Sequence, residues 1–234
     1  MQRSLIVTVC AAVLILAGCG KAATPAPVAA VTAAASSPQG RQVHILAFGD
    51  SLFAGYGLAP GQSYPSRLEA ALRSRGIAAQ MSNAGVSGDT TAAGRERFAF
   101  ALDGQAQPPA LVILELGGND ILRALPPAQT RDNLDAMLAE LARRKIPALL
   151  IGMRAPPNLG VDYARAFDAI YTVLAAKYHV PLVPFFLEAV YAKPELIQPD
   201  HVHPNARGVD MLVAATIDQV AAALPNSAAP LPPR

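Results

Sequence analysis

The chain contains little charge and no block of like charges. Only 15% of its 234 residues are charged, and 19 basic against 17 acidic side chains leave a formal net charge of +2 at pH 7. The longest basic cluster, Arg143-Arg144-Lys145, falls at the end of a predicted helix, where cations complement the helix dipole. Nothing in this pattern indicates a nucleic-acid-binding surface, so no nucleic-acid partner is expected.

Cysteine is also scarce, and the chain contains two, Cys10 and Cys19. Both lie near its first residue, so the remainder of the chain has no cysteine with which to form a disulfide. The fold must therefore rest on an apolar core, for which a hydrophobic content of 52% is ample. The sequence also lacks a phosphate-binding loop and a dinucleotide fingerprint, and no cofactor is expected.

The first 18 residues predict a targeting segment. Arg3 supplies a positive charge, residues 5–16 form an apolar run too short to span a bilayer, and Leu16-Ala17-Gly18-Cys19 follows. This tetrapeptide resembles the bacterial lipobox, which implies cleavage before Cys19 and a lipid on that cysteine; an ordinary signal peptide is the alternative. We therefore expect export and a lipid anchor in a bacterial membrane. In a Gram-negative source, Gly20 in place of a retention aspartate favours the periplasmic side of the outer membrane.

Composition divides the rest of the chain into three parts. Residues 19–41 are rich in Ala, Pro and Ser and have no periodic apolar face, which predicts a flexible tether after the lipidated cysteine. Residues 225–234 indicate a frayed tail. One folded domain is expected between them, over residues 42–224.

Short apolar runs alternate with helical periodicity along this domain. Strands are predicted over residues 43–47, 77–82, 111–116, 147–152 and 181–186, and helices over residues 64–75, 89–103, 130–145, 162–178 and 205–223. Such alternation predicts a parallel sheet that is covered by helices on both faces. We therefore expect an α/β fold, a three-layer α/β/α sandwich around five parallel strands.

Polar residues that can do chemistry follow four of these strands. Ser51, Gly85 and Asn119 come after the first three, and Asp200-His201-Val202-His203-Pro204 comes after the fifth. Loops that leave parallel strands converge on the sheet edge where ligands bind. Acyl transfer requires a nucleophile, a base, a group that orients the base and donors for the oxyanion, and these residues include all four types. Taken alone, Gly49-Asp50-Ser51 also fits a helix cap, and Gly117-Gly118-Asn119-Asp120 also fits a plain turn.

A serine hydroxyl needs a base, and the chain has four histidines. His44 lies within the first predicted strand and is interpreted as structural, while His179 lies at a helix end where its charge suits the dipole. The spacing from Asp200 to His203 lets a turn bring the carboxylate to one ring nitrogen and leaves the other to face Ser51.

The neighbouring His201 is expected to point elsewhere. A zinc site formed by Asp200, His201 and His203 is the competing interpretation. The sequence offers no further ligand motif to complete such a site, and we predict no metal.

The four motifs in this order resemble those of the SGNH (GDSL) hydrolase family. They are Gly49-Asp50-Ser51-Leu52, Gly85, Gly117-Gly118-Asn119-Asp120 and Asp200-His201-Val202-His203-Pro204, and no Gly-x-Ser-x-Gly elbow accompanies them. The chain is most similar to the bacterial thioesterase/lysophospholipase and arylesterase members. The resemblance covers about residues 43–222 and implies a flavodoxin-like sheet.

The resemblance also implies roles for individual residues. Ser51 would be the nucleophile, His203 the general base and then acid, and Asp200 the group that orients His203. The backbone N–H groups of Ser51 and Gly85 and the side-chain amide of Asn119 would form the oxyanion hole. The implied activity is hydrolysis of acyl or aryl esters, with thioesters and lysophospholipids as further candidates.

Two largely apolar loops, residues 121–127 and 154–160, flank the expected site. They supply the predicted substrate-binding residues Leu122, Arg123, Leu125, Arg154, Pro156 and Leu159. The apolar members would line an acyl groove and the arginines would meet a phosphate or carboxylate, although simple packing and solvent exposure are the alternatives. Two other functions remain open, a carbohydrate O-deacetylase on the same fold and a lipid-binding lipoprotein without activity.

Overall fold

The computed structural model describes residues 42–225. The predicted signal peptide, the lipidation site at Cys19 and the tether up to residue 41 lie outside the described residues, as does the predicted tail beyond residue 225. Within the described range, no helix combines the length and the apolar character needed to cross a lipid bilayer.

Five parallel strands form the central sheet. They are β1 (Val43–Gly49), β2 (Ala79–Gly85), β3 (Leu111–Glu115), β4 (Ala148–Ile151) and β5 (Leu182–Val183). The spatial order is β2-β1-β3-β4-β5, so the winding direction reverses between β1 and β3. The loops after these two strands therefore open on the crevice where open α/β sheets bind ligands. The five-stranded parallel sheet is as the sequence predicts.

Helices cover both faces of the sheet. They are α1 (Ser51–Ala54), α2 (Tyr64–Ser74), α3 (Thr91–Asp103), α4 (Gly118–Leu122), α5 (Pro127–Arg144), α6 (Val161–Tyr178) and α7 (Ala206–Ala223). Helix α2 packs against α7, while α3, α5 and α6 pack side by side. The predicted three-layer sandwich is confirmed.

The structure corrects several predicted boundaries. Strand β2 begins two residues and ends three residues later than expected, so Gly85 is its last residue rather than part of the loop that follows it. Strand β5 keeps only two residues, because Phe186 turns away into a 3-10 turn and packs edge-on against Tyr64 at 4.8 Å between ring centroids. The short helices α1 and α4 were not predicted, because each is about one turn long and has no periodic apolar face.

An aromatic cluster anchors the first of these short helices. The fully buried ring of Phe53 in α1 stacks on Tyr64 at 5.2 Å and meets Phe186 at 5.8 Å between ring centroids. Helix α1 is too short to be stable by itself, so this burial is what holds it in place. Its first residue, Ser51, is thereby fixed at the end of β1.

Candidate active site

Ser51 lies at the junction of a buried strand and a short helix. All seven residues of β1 are buried, and Asp50 follows as the N-cap of α1, where its Oδ1 accepts a hydrogen bond from the N–H of Leu52 at 3.0 Å. The sequence interpretation in which this motif caps a helix is therefore correct for Asp50. The same cap directs the Ser51 hydroxyl into the crevice at the carboxyl edge of the sheet.

Ser51, His203 and Asp200 form a hydrogen-bonded series. The Nε2 atom of His203 lies 2.8 Å from the Ser51 Oγ, and its Nδ1 atom lies 2.7 Å from Oδ2 of Asp200. The other carboxylate oxygen of Asp200 accepts the backbone N–H groups of Val202 and His203, both at 3.0 Å. The local turn expected from the Asp-x-x-His spacing thus brings these side chains together.

The electrostatics of this turn favour an ionised Asp200. Burial opposes its ionisation, but the N–H groups of His203 and Val202 and the His203 ring outweigh that effect and lower the pKa of Asp200 to about 2. A carboxylate that stays charged at neutral pH holds a proton on the Nδ1 atom of His203 and leaves Nε2 free to accept one from Ser51.

Three contacts that the sequence did not predict support the histidine loop. The side-chain amide of Gln198 donates to the carbonyl oxygens of Tyr56 and Pro204, at 2.8 and 2.9 Å. The ring of Tyr56 lies 4.6 Å from the His203 imidazole, measured between centroids. No local pattern could have revealed these contacts, since Tyr56 and Gln198 are 142 residues apart.

Asn119 lies in α4, one turn after β3, and lines the same crevice as Ser51. Its Nδ2 atom donates a hydrogen bond to Oδ2 of Asp50 at 3.1 Å. An amide nitrogen carries two hydrogens, so this bond holds the amide while leaving its second N–H for another acceptor.

Gly85 is the third residue expected to donate to the oxyanion, through its backbone N–H. A Cβ at this position would lie 2.3 Å from the backbone nitrogen of Ala54 and 2.8 Å from the Phe53 carbonyl carbon. The residue is glycine because α1 passes directly against it. Its N–H donates to Oδ1 of Asn83 at 2.9 Å, and Gly85 is not among the residues that line the crevice.

The crevice has a volume of about 280 Å³. Of the six predicted substrate-binding residues, Leu122, Arg154 and Pro156 line it. The sequence missed further apolar lining residues, namely Leu52, Ile121, Met153, Leu187 and Val202.

The other three predicted substrate-binding residues are not among those that line the crevice. Arg123 is drawn away because its guanidinium donates to the Gly88 carbonyl at 2.9 Å. The backbone carbonyl of Leu125 accepts the Tyr163 hydroxyl, and Leu159 packs against the core from its 3-10 turn.

The other three histidines lie in different parts of the fold. Nε2 of His44 lies 2.8 Å from the Ser82 Oγ, as suits a structural residue, and His179 ends α6. His201 lines the crevice, contrary to the expectation that it points elsewhere. One ring nitrogen of His203 contacts Ser51 and the other contacts Asp200. Among the described residues, no group of three side chains that could hold a metal ion is found.

A histidine hydrogen-bonded to both a serine hydroxyl and a carboxylate, at the ligand-binding edge of a doubly wound sheet, defines the class of the protein as a serine hydrolase. Residues 47–211 match the model of the GDSL-like lipase/acylhydrolase family. The chain belongs to this family, and it is an SGNH-type ester hydrolase.

Characterised relatives support the same assignment. "Thioesterase 1/protease 1/lysophospholipase L1" of Escherichia coli strain K12 is 40% identical over 161 residues, which cover 69% of this chain and 75% of the relative. The "Arylesterase" of Vibrio mimicus is 41% identical over 161 residues, covering 69% and 80% of the two chains. The solved structure of AlinE4, an SGNH-hydrolase family esterase, is 66% identical and covers 80% of this chain and 98% of its own, with a TM-score of 0.68.

Proposed function

We propose that this protein hydrolyses acyl or aryl carboxylic esters through an acyl-enzyme on Ser51. The observation that carries the proposal is the series of two short hydrogen bonds, 2.8 Å from Ser51 to His203 and 2.7 Å from His203 to Asp200. The names of the relatives, thioesterase, lysophospholipase and arylesterase, support ester substrates and make thioesters and lysophospholipids further candidates.

The proposed reaction has two halves. Nε2 of His203 accepts the hydroxyl proton while the Ser51 Oγ attacks the ester carbonyl. The tetrahedral intermediate collapses, the bond to the alcohol oxygen breaks, and Nε2–H returns the proton to the leaving alcohol. Water then attacks the acyl-enzyme in the same way, which releases the carboxylic acid and restores Ser51. Asp200 stays ionised throughout and stabilises the imidazolium form of His203.

The oxyanion of each tetrahedral intermediate requires donors that point into the crevice. We assign this role to the N–H of Ser51 and to the second N–H of the Asn119 amide. The Gly85 N–H donates to Oδ1 of Asn83 at 2.9 Å. It becomes a third donor to the oxyanion once this hydrogen bond breaks.

The lining of the crevice supports an apolar acyl or aryl group in the substrate. Ile121, Leu122, Met153 and Pro156 lie on its walls. Arg154 also borders the crevice, but its guanidinium is shared between Glu188 at 3.4 Å and the face of Phe185 at 4.8 Å from the ring centroid. A largely apolar wall favours an acyl chain over an O-acetylated sugar, for which polar contacts would be needed.

The leader sequence leads to a separate proposal about location. The lipobox Leu16-Ala17-Gly18-Cys19 and the tether that follows support an exported enzyme held at a bacterial membrane through a lipid on Cys19. Replacement of Cys19 by Ala should leave hydrolysis intact and abolish the incorporation of labelled fatty acid into the protein. Equal labelling of wild type and that variant would contradict the anchor.

A series of p-nitrophenyl esters from acetyl to octanoyl, assayed beside lysophosphatidylcholine, tests the catalytic proposal. Wild type should cleave the longer esters, and Ser51→Ala should lose hydrolysis altogether. Ser74→Ala, which changes an exposed serine on α2, is the matched control and should behave like wild type. Cleavage of acetyl esters alone would favour the O-deacetylase, and a wild type that binds lipid without cleaving any ester would overturn the proposal.

A further inference from the structure

Two buried carboxyl groups lie next to each other beneath Ser51. Glu115, the last residue of β3, is completely buried, and Asp50 is 1% exposed. The backbone N–H of Asp50 donates to Oε2 of Glu115 at 3.4 Å, while Oε1 of Glu115 is a buried atom without a hydrogen-bond partner among the described residues. Neither carboxyl has a role in the reaction outlined above.

The carboxyl of Glu115 fits at this place because Gly49 has no side chain. A Cβ on Gly49 would lie 2.7 Å from Oε2 of Glu115, closer than atoms of neighbouring side chains approach, so a larger residue at position 49 would displace the carboxyl. A charged residue type at the end of an otherwise apolar strand is the signal by which the sequence could have revealed this group.

Asp50 connects this buried pair to the reacting groups. Its Oδ1 accepts the N–H of Leu52 at the start of α1, and its Oδ2 accepts the Asn119 amide at 3.1 Å. One carboxylate therefore holds both the helix that begins with Ser51 and the proposed oxyanion donor. An ionised carboxylate is a stronger acceptor than a neutral acid, so the hold is firmest when Asp50 is charged.

Two adjacent carboxyl groups excluded from water cannot both be ionised at low cost. Burial, together with the charge of Asp50, raises the pKa of Glu115 well above its usual range. Burial also raises the pKa of Asp50, but only to about 6, because the Leu52 N–H and the Asn119 amide stabilise its charge. The larger rise in the pKa of Glu115 favours this residue as the one that holds the proton of the pair.

We propose that Glu115 is a positioning residue that holds this proton and so keeps Asp50 as the ionised acceptor that orients the Asn119 amide. Glu115 does not touch the substrate, and it acts through Asp50. The inference rests on the proposed function, since Asn119 matters only if an oxyanion forms in the crevice. It predicts that a neutral side chain with a polar end suits position 115 and that an apolar side chain does not.

Other ionisable groups face the pair from every side. Tyr171 on α6 lies within electrostatic reach of Glu115, of Asp50 and of Asp120 on α4, and His203 acts on Asp50. On α3, Arg97 donates to the carbonyl of Gly49 at 3.0 Å. Each of these is unchanged in variants of Glu115, so a difference between two such variants reports on the side chain at position 115.

The decisive comparison is between Glu115→Gln and Glu115→Met, two side chains of similar length. Glu115→Gln mimics the protonated acid and should keep kcat within about threefold of wild type. Glu115→Met should lower kcat by about tenfold at unchanged KM, because a loosened Asn119 amide loses part of the 10²–10³-fold that an oxyanion donor contributes. Glu96→Gln and Glu96→Met, on the exposed face of α3, are the matched controls and should leave kcat unchanged.

The pH dependence of thermal stability is a second readout. Because the folded-state pKa of Glu115 lies above its unfolded value, the folded state binds an extra proton, and stability falls as pH rises. As pH rises above 4.5, the ordinary pKa of a glutamate, Tm of wild type should therefore fall more steeply than Tm of Glu115→Gln. This measurement decides the question even if Glu115→Met does not fold.

Three results would overturn the inference. They are a normal kcat in folded Glu115→Met, a kcat in Glu115→Gln as low as in Glu115→Met, and equal pH slopes of Tm for wild type and Glu115→Gln. Ser51→Ala is assayed beside these variants to separate the two hypotheses. If Ser51→Ala still hydrolyses the ester, the proposed function itself fails; if it is inactive, any of the three results above contradicts only the role of Glu115.

Discussion

The Nε2 atom of His203 lies 2.8 Å from the Oγ atom of Ser51, although 152 residues separate them along the chain. Ser51 is fixed by the anchored helix α1, and His203 is fixed by its own turn with Asp200. The proposed nucleophile and base thus belong to two separate structural units. The distance between those units depends on how the loops at this edge of the sheet pack together.

Replacement of Asn119 by Ala should lower kcat by roughly 10²–10³-fold, because one preorganised donor to the oxyanion is lost. KM and Tm should change little, since the side chain lies in the crevice rather than in the apolar core. Steady-state kinetics with a p-nitrophenyl ester, together with a thermal melt, tests this. A kcat close to that of wild type would exclude Asn119 from the oxyanion hole.

Replacement of Asp200 by Asn should reduce kcat by roughly 10²–10⁴-fold, because the neutral amide no longer holds His203 in the reactive tautomer. It should also change the acid stability. The pKa of Asp200 is lowered to about 2 in the folded state, so its stabilising effect is complete above its unfolded value and disappears as pH falls from about 4 to about 2. Chemical denaturation across this range should show a shallower acid loss in Asp200→Asn than in wild type.

The amide of Gln198 links the histidine loop to Tyr56, so Gln198→Ala should let His203 move. We expect kcat to fall by about tenfold at constant KM, since a small displacement of a catalytic group reduces the rate without weakening substrate binding. Gln105→Ala, which removes a side-chain contact to the Ala101 carbonyl on α3, serves as the control. Equal kcat values for the two variants would contradict the role of Gln198.

Leu122 lines the crevice and Leu125, three residues further on, does not, which offers a matched pair. Leu122→Ala should lower kcat/KM for an octanoyl ester by about threefold to tenfold and leave the acetyl ester unaffected, because only the longer chain reaches this wall. Leu125→Ala should show no such chain-length effect. The opposite ranking would locate the acyl group outside this crevice.

Gly85→Ala should destabilise the protein, because the added Cβ would lie 2.3 Å from the backbone nitrogen of Ala54. The resulting shift of α1 should cost about 1–3 kcal/mol and lower kcat, since Ser51 belongs to the same helix. Gly104→Ala at the end of α3 is the control, where φ is −74° and the nearest neighbour is 3.3 Å away. Equal Tm values for the two variants would show that α1 does not press on Gly85.

Much of the fold could be predicted because it depends on local patterns. Apolar runs marked β1, β3 and β4 closely, whereas β2 was predicted two to three residues too early. Strand β5 was predicted too long because Phe186 packs against rings from remote parts of the chain. The curated relatives and the family match confirm the predicted family. Arg123, Leu125 and Leu159 were assigned to the substrate groove because adjacency in a loop does not reveal which way a side chain turns.

The sequence by itself determined the alternation of strands and helices, the order of the four motifs and the turn that joins Asp200 to His203, because each depends on residues close together in the chain. Only the tertiary structure decided that Glu115, Asp50 and Asn119 meet beneath Ser51, that α1 presses on Gly85, and that Gln198 holds Tyr56. These contacts join segments from different strands and loops. Their distances are set by how the layers pack around the sheet, and no local pattern encodes that.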